Sequence, residues 1–165
     1  MPRALLLPII LTAIAVAAER PIAVQSDTVQ VGQTAPSFLI ATLDGESVTG
    51  DFHGKPAYID VFATWCPPCR SELPAILDMA KEYRDRIDFL LVDEQESTAS
   101  VKSFASSLRG MAPVALDRGG FAAAYDVGGL PWNIFIDRHG IVRYVYRGRI
   151  PADVLADQLS KLLSS

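Results

Sequence analysis

The sequence predicts an α/β domain in which a mixed central sheet is flanked by helices and preceded by a β-hairpin. Two nearly continuous apolar runs, Ala57–Ala63 and Ile87–Val92, are typical of strands that are buried on both faces of a parallel sheet. Amphipathic segments follow each run, as expected when helices connect parallel strands. Two further strands, Asn133–Asp137 and Ile141–Tyr146, flank the turn Arg138-His139-Gly140 and predict a closing antiparallel hairpin.

Length, composition and charge exclude several classes of protein. The chain has 165 residues, of which 50% are hydrophobic and 21% are charged, so it suits one compact domain and not a disordered chain. Its formal net charge of −4 argues against a nucleic-acid partner. Two cysteines cannot make a disulfide-stapled miniprotein, nor can they complete a four-ligand zinc site by themselves. We expect a monomer that needs no cofactor and no metal.

The amino-terminal segment predicts a secretory signal peptide. Arg3 gives it a positive start, Ala4–Ala18 is an apolar stretch of 15 residues, and polar Glu19 follows. This order is typical of a signal that is cleaved, here after Ala18. The alternative is an uncleaved anchor, for which the stretch is short because a membrane-spanning helix needs about 18 or more apolar residues. We expect a signal peptide at 1–18, a linker at 19–34 and one domain at 35–165.

The amino-terminal hairpin and the first helix have clear start signals. Asp44-Gly45, a strong turn signal, separates Ser37–Thr42 from Glu46–Val48 and predicts the hairpin. Pro67 and Pro68 can occupy the first turn of a helix, where a missing N–H group costs little. The apolar face of that helix is formed at helical spacing by Leu73, Ile76, Leu77 and Ala80.

The second half of the chain alternates between helices and short strands. Ser97 or Thr98 can cap a helix, and Pro151 can open the last one. Between them, Pro113–Leu116 predicts a short strand and Gly119–Tyr125 a brief helical turn. We expect the helix after Ser97 or Thr98 to face inward with Val101, Phe104, Ala105 and Leu108. We expect the last helix to face inward with Val154, Leu155, Leu159 and Leu162.

The two cysteines carry the chemistry that the sequence predicts. Cys66-Pro67-Pro68-Cys69 lies at the junction of a buried strand and the start of a helix. Unsatisfied N–H groups and the helix dipole stabilise an anion there, so Cys66 can ionise near neutral pH. Cys69, three residues further along the same helical face, can attack a mixed disulfide formed at Cys66. The pattern therefore favours dithiol exchange.

Three other interpretations of the cysteine pair stay open. The pair can be half of a zinc site, although the two histidines that could complete it, His53 and His139, do not form a second ligand pair near the cysteines in sequence. It can be an inert structural disulfide, although a bridge across three residues constrains the unfolded chain little. It can bind copper in a metallochaperone, which predicts tight, stoichiometric Cu(I) binding with negligible disulfide reductase activity.

The cysteine motif and its surroundings resemble one family. Thr64-Trp65-Cys66-Pro67-Pro68-Cys69-Arg70, followed by Glu72-Leu73-Pro74, resembles the TlpA/ResA-like branch of the thioredoxin superfamily. The resemblance runs from Val31 to the carboxyl terminus. It implies a thioredoxin fold and an exported thiol–disulfide oxidoreductase, for which cytochrome c maturation is a frequent assignment. The other segments that resemble this branch are Val31–Phe38, Asp44-Gly45, Val127–Pro131 and Phe135–Gly140.

Two acidic residues are candidates for supporting roles. Asp60 lies in the middle of the first buried strand, where a carboxylate is costly unless it is paired or functional. The resemblance implies that Asp60 lies beneath Cys69 and relays its proton, and many members of the branch lack this acid. The alternative is a carboxylate that reaches solvent from the strand end. Glu96 matches a position where ResA-like proteins place an acid near the active site, or it serves only the dipole of the following helix.

Pro131 and its neighbours are the predicted substrate-binding residues. The resemblance implies a cis peptide bond between Leu130 and Pro131 that faces the cysteines and leaves the preceding backbone free to pair with a substrate strand. Trp132 departs from the threonine that is common after this proline, and it is a further candidate contact. We expect Trp65 to pack over the cysteine loop and to contact the substrate with Leu130 and Pro131; the alternative is that Trp65 only fills the core.

A buried negative charge at Asp60 predicts the direction of electron transfer. Whatever destabilises the Cys66 thiolate makes the reduced protein a better electron donor. We therefore expect a reductant of disulfide-containing client proteins. Because cytosolic reductants do not reach an exported protein, a membrane protein must supply its electrons.

Overall fold

The computed structural model describes residues 29–52, 54–108 and 110–165. Within these ranges the chain forms seven strands and four α-helices. In chain order they are β1 (Leu39–Ala41), β2 (Ser47–Thr49), β3 (Ala57–Phe62), α1 (Pro67–Tyr83), β4 (Asp88–Asp93), α2 (Thr98–Ala105), β5 (Val114–Leu116), α3 (Gly120–Ala124), β6 (Trp132–Ile136), β7 (Val142–Arg147) and α4 (Ala152–Leu162). A 3₁₀ turn, Ser106–Leu108, follows α2.

Five of the strands form one mixed sheet in the order β5-β4-β3-β6-β7. Strands β3, β4 and β5 are parallel, whereas β6 is antiparallel to β3 and β7 is antiparallel to β6. Strands β1 and β2 form a separate antiparallel hairpin, which a bridge from Thr42 to Ala115 joins to the β5 edge. The predicted class, a thioredoxin fold with an added amino-terminal hairpin, is confirmed.

The sheet separates two apolar cores, because successive side chains of a strand point to opposite faces. Tyr58 and Phe62 of β3 face α1 and α4, whereas Ile59 and Val61 face α3 and the hairpin. All of β3 is buried, as the nearly continuous apolar run predicts. Both cysteines belong to the first core, together with the inward residues of α4. Those inward residues are Leu155, Leu159 and Leu162, as predicted from their spacing.

The described part of the amino-terminal segment attaches to the sheet. Thr34 forms an antiparallel bridge with Ile141, next to β7. The folded domain therefore extends into the predicted linker, 19–34. The predicted signal peptide, 1–18, lies outside the described residues. Among the residues that are described, no helix combines the length and the apolar stretch that a membrane crossing requires.

Candidate active site

The cysteine pair lies where α1 begins. Cys66 caps the helix, because its Sγ accepts the N–H of Cys69 at 3.3 Å. Pro67 and Pro68 occupy the first positions of α1, where the N–H group that proline lacks would have no helical partner. The two cysteines form a disulfide, and their Cα atoms are 5.3 Å apart. The Cys66 sulfur therefore lies at the positive end of the helix dipole.

The residue that precedes Cys66 carries an exposed aromatic ring. Cys69 is fully buried and Cys66 is 3% exposed, whereas the neighbouring Trp65 is 67% exposed. Such exposure excludes a role for Trp65 as core filler. An apolar ring is therefore exposed to solvent one residue before Cys66.

A cis-proline lies at the same end of the sheet as the cysteine loop. The Leu130-Pro131 peptide bond is cis, as the resemblance implied. The register pairs Trp132, the first residue of β6, with Val61 near the end of β3. Because β3 leads directly into the cysteine loop, Pro131 lies at the end of the sheet where that loop begins. Leu130, just before it, is half-buried and packs against both cores.

The ring of Trp132 lies on the face of the sheet opposite the disulfide. It is buried in the second core, and the guanidinium of Arg147 lies 4.6 Å from the ring centroid. The next residue, Asn133, points to the cysteine face, so the alternation of a strand turns Trp132 away from it. The structure therefore does not bring this candidate contact to the cysteines.

Asp60 lies on the cysteine side of the sheet and is fully buried. Its neighbours on β3, Tyr58 and Phe62, belong to the same core as Cys69. With 0% of its surface exposed, Asp60 does not reach solvent, which excludes the strand-end alternative. Burial, and then the charge of the nearby Glu72, raises the pKa of Asp60 well above its usual value.

Glu72 is a site residue that the sequence reasoning missed. It lies on α1, three residues after Cys69, and is only 3% exposed. Its Oε2 accepts the backbone N–H of Ile150 at 2.6 Å, and its carboxyl group lies within hydrogen-bonding reach of Asp60. Burial raises the pKa of Glu72 to about 7, although the Ile150 N–H group opposes this rise. A charged residue within the apolar stripe of α1 was the signal that could have identified it.

Glu96 holds the loop that precedes the cysteines. One carboxylate oxygen accepts the Thr64 N–H at 2.6 Å, and the other accepts the Thr64 hydroxyl at 2.7 Å. Although burial opposes it, these two hydrogen bonds lower the pKa of Glu96. The acid thus positions the backbone two residues before Cys66, which is more than a favourable contact with the dipole of α2.

Asp93 accepts a hydrogen bond from the backbone of Glu96. The Glu96 N–H donates to Asp93 Oδ2 at 3.1 Å, and Asp93 is fully buried at the end of β4. Burial, and then the hydrogen bond with the Glu96 carboxyl group, raises the pKa of Asp93 to about 7. A second pair of acids therefore lies beside the cysteine loop.

Replacing Glu96 with alanine is expected to lower the free energy of unfolding by about 2 kcal/mol, because two partly buried donors of Thr64 lose their acceptor. Urea denaturation of the oxidised protein measures this loss. Glu94→Ala is the matched control, since it removes one negative charge from the same acidic run. Equal losses in the two variants would show that charge, and not the Thr64 contacts, accounts for the effect.

Among the described residues, no group of three or more histidine, cysteine and acidic side chains converges in a way that could hold a metal ion. The chemical groups at this end of the sheet are the cysteine pair, the acids near it and the cis-proline.

Several known proteins are similar to this chain in sequence. The model of the Redoxin family matches residues 30–162. The thioredoxin-like protein YneN of Bacillus subtilis is 33% identical over 135 residues, which cover 79% of each chain. The thiol-disulfide oxidoreductase ResA of Bacillus thuringiensis is 29% identical over 141 residues, covering 84% of this chain and 82% of ResA.

A solved structure agrees with the fold. A crystal structure from Chlorobium tepidum, which carries the name thiol:disulfide interchange protein DsbE, superimposes with a TM-score of 0.76 at 30% identity. The match covers 82% of this chain and 99% of that one. With the disulfide at the start of α1 and the cis-proline beside it, these similarities lead to one conclusion: the chain belongs to the Redoxin family and is a TlpA/ResA-like member of the thioredoxin superfamily.

Proposed function

We propose that this thiol:disulfide oxidoreductase is exported and reduces the disulfides of client proteins through Cys66 and Cys69. The observation that carries the proposal is the position of the Cys66 sulfur, which caps α1 and accepts a backbone N–H group. A thiolate at this position is stabilised by the helix dipole, so Cys66 is the attacking residue. Cys69 is fully buried, which suits a resolving thiol that meets only the bond formed at Cys66.

The reaction transfers two electrons from the protein to the substrate. The Cys66 thiolate attacks one sulfur of the substrate disulfide and expels the other as a thiolate, which takes a proton. Cys69 then loses its proton and attacks Cys66 Sγ. This step forms the Cys66–Cys69 disulfide and releases the second substrate thiol. The buried acid Asp60 lies in the same core as Cys69 and supports the proton transfer of this second step.

Substrate binding is supported by the surface around the disulfide. The cis bond at Pro131 lies at the end of the sheet where the cysteine loop begins, and Trp65, directly before Cys66, has an exposed ring. We propose that an extended substrate segment pairs with the backbone at Leu130 and covers the Trp65 ring. Backbone pairing tolerates many sequences, which suits an enzyme that acts on protein disulfides.

The buried acids favour the reducing direction. Negative charge near the cysteines disfavours the thiolate and therefore the reduced protein, which makes that form a stronger electron donor. With an amino-terminal signal, the protein would work outside the cytoplasm and receive electrons from a membrane protein. Cytochrome c maturation, in which haem-binding thiols must be reduced, is one pathway that this chemistry would serve.

Replacing Cys69 with serine tests the proposal. Exposed to oxidised insulin, reduced Cys69→Ser is expected to accumulate a mixed disulfide at Cys66, because the resolving thiol is missing. Mass spectrometry of the non-reduced protein measures the trapped fraction. Cys66→Ser is the matched control and is expected to trap little. More trapping by Cys66→Ser would reverse the two roles, and no trapping by either variant, with tight Cu(I) binding, would favour the metallochaperone.

A further inference from the structure

The α1–α2 groove lies on the surface of the domain, between α1 and the chain that forms α2 and the 3₁₀ turn. Its volume is about 420 Å³. The apolar residues that line it are Leu73, Pro74, Leu77, Phe104, Leu108 and Met111. Two of them, Pro74 and Met111, are exposed, and Met111 exposes 39% of its surface. The described part of the chain therefore leaves an apolar surface here that it does not cover.

The α1–α2 groove begins one helical turn after the cysteine that attacks the substrate. Arg70 lines the groove, and its backbone N–H donates to the Cys66 carbonyl at 3.1 Å. Pro74 and Asp78 follow Arg70 at intervals of four residues, so the three residues lie along one side of α1. The groove is therefore continuous with the proposed substrate-binding site at Cys66.

The order of the strands places the groove on the opposite side of Cys66 from the cis-proline. The cis-proline directly precedes β6, and α2 follows β4, whereas β3, which leads into Cys66, lies between β4 and β6. A client segment that pairs with the backbone at Leu130 and crosses Cys66 therefore continues towards the α1–α2 groove.

Pro74 leaves a backbone acceptor on the same side of α1. Proline has no N–H group, so Pro74 cannot donate the α-helical hydrogen bond to the carbonyl four residues earlier, which is that of Arg70. An extended segment has N–H groups that can donate to such a carbonyl, whereas the N–H groups inside a helix are used by the helix itself. The groove therefore suits an extended segment better than a helix.

The two ends of the α1–α2 groove carry opposite charges. Arg70 lies at the cysteine end and Asp78 at the far end; both are exposed, and neither forms a salt bridge with another described residue. The eight positions of α1 that separate them correspond to about 12 Å along the helix axis. An extended chain covers this distance in about four residues. A complementary segment therefore carries an acid beside Arg70 and a base about four residues farther from its cysteine.

We propose that the α1–α2 groove binds the part of a client protein that continues beyond the reacting cysteine, as an extended apolar segment with an acidic residue near the cysteine and a basic residue farther along. The inference rests on the proposed function and assigns a specificity-determining surface to the same site. The Arg70 guanidinium pairs with the client's acid, and the Arg70 carbonyl accepts a client N–H. Apolar client side chains cover Pro74 and Met111.

Two peptides that differ only in the order of their charges test this proposal. Each has apolar residues and one cysteine, held as a mixed disulfide with mercaptoethanol, and its aspartate and lysine are four residues apart. The reduced wild-type protein is expected to reduce the peptide with aspartate nearer the cysteine with an about fivefold higher kcat/KM. Each pair is made with the cysteine at the amino end and again at the carboxyl end. Equal kcat/KM values for the two charge orders in both directions would overturn the proposal.

Exchanging the charges of the groove is expected to reverse this preference. The double variant Arg70→Asp, Asp78→Arg should reduce the peptide with lysine nearer the cysteine faster. Lys102→Glu is the matched control, because Lys102 precedes Phe104 by two positions of α2 and thus lies on the side of that helix away from the groove. This control should keep the wild-type preference. A double variant that still preferred aspartate near the cysteine would contradict the assignment of the charges.

Binding without reaction separates the groove from the proposed function. A peptide with serine in place of its cysteine cannot react, and nitrogen-15 NMR of the oxidised wild-type protein shows where it binds. Shifts are expected at Leu77 and Leu108, on the two walls of the groove, even if the protein proves not to reduce disulfides. Shifts confined to the surroundings of Leu130 would overturn the groove and leave the proposed function intact. Shifts of the groove residues on dilution of the protein alone would assign the groove to a second copy of the chain and overturn the proposal.

Discussion

Replacing Cys66 with serine is expected to lower the rate of insulin reduction by at least about a thousandfold. The Cys66 sulfur is the group that the amino terminus of α1 stabilises as an anion, through the Cys69 N–H and the helix dipole. A serine hydroxyl at the same position does not ionise near neutral pH, so the attacking nucleophile is lost and the remaining thiol, Cys69, is fully buried. Turbidity of reduced insulin, measured with dithiothreitol as electron source, follows this loss.

The loss should be specific to chemistry, because serine differs little from cysteine in size. The free energy of unfolding of Cys66→Ser is best compared with that of Cys69→Ser, since each variant removes the same disulfide. Ser71→Ala, which changes a nearby exposed hydroxyl on α1, controls for general effects on the helix. If Cys66→Ser kept more than about a tenth of the wild-type rate, nucleophilic attack by Cys66 would be excluded.

Stability is expected to fall as the pH rises from about 5 to about 8, by about 3 kcal/mol in the free energy of unfolding. The cause is the pair of acids whose pKa burial raises to about 7, Glu72 and Asp93. In this pH range the folded state binds more protons than the unfolded state, so unfolding releases protons and a higher pH favours it. Their contribution is therefore complete only below the pKa of the unfolded chain and is lost as the pH passes the folded pKa.

Other shifted acids do not offset this slope. The pKa values of Asp44, Asp137 and Glu96 are lowered in the folded protein. Burial raises the pKa of each group, but hydrogen bonds to the carboxylate lower it by more. Their stabilising contribution is present above the unfolded pKa and is lost only as the pH falls through the lower, folded value. Between about pH 5 and pH 8 they remain ionised in both states.

Urea denaturation of the oxidised protein at several pH values measures this dependence. Glu72→Gln and Asp93→Asn are each expected to remove part of the slope, because each removes one proton-binding group. The Glu82→Gln variant should retain the wild-type slope, since that residue is exposed on α1. A free energy of unfolding that rises with pH over the same range would show that the two acids are not buried in the folded protein as described.

Much of the fold could be predicted from local pattern. The nearly continuous apolar run of β3 predicted a central strand, and the Asp44-Gly45 turn predicted the hairpin of β1 and β2. These elements were predictable because period and turn chemistry are properties of a few adjacent residues. Strand order and register join residues far apart in sequence, so local pattern could not supply them; the resemblance implied the fold class, and the structure shows the order and the register.

For the candidate site too, the sequence identified some residues correctly, and the structure alone showed where others point. Cys66 and Cys69 were identified from spacing alone, and the cis bond at Pro131 was implied by the resemblance before the structure showed it. Trp132 was a candidate contact because it follows Pro131 in sequence, yet the strand turns its ring to the opposite face. Adjacency in sequence does not decide the face of a strand, since the side chains alternate.

What the sequence by itself determined is the reacting chemistry: two thiols one helical turn apart, at a helix start that stabilises an anion. What only the tertiary structure decided is the acidity around them. Glu72 meets Asp60 across the space between α1 and β3, and it meets the Ile150 N–H from beyond β7. Burial and donors from distant segments set the charge of such a group, and neither can be inferred from the residues next to it.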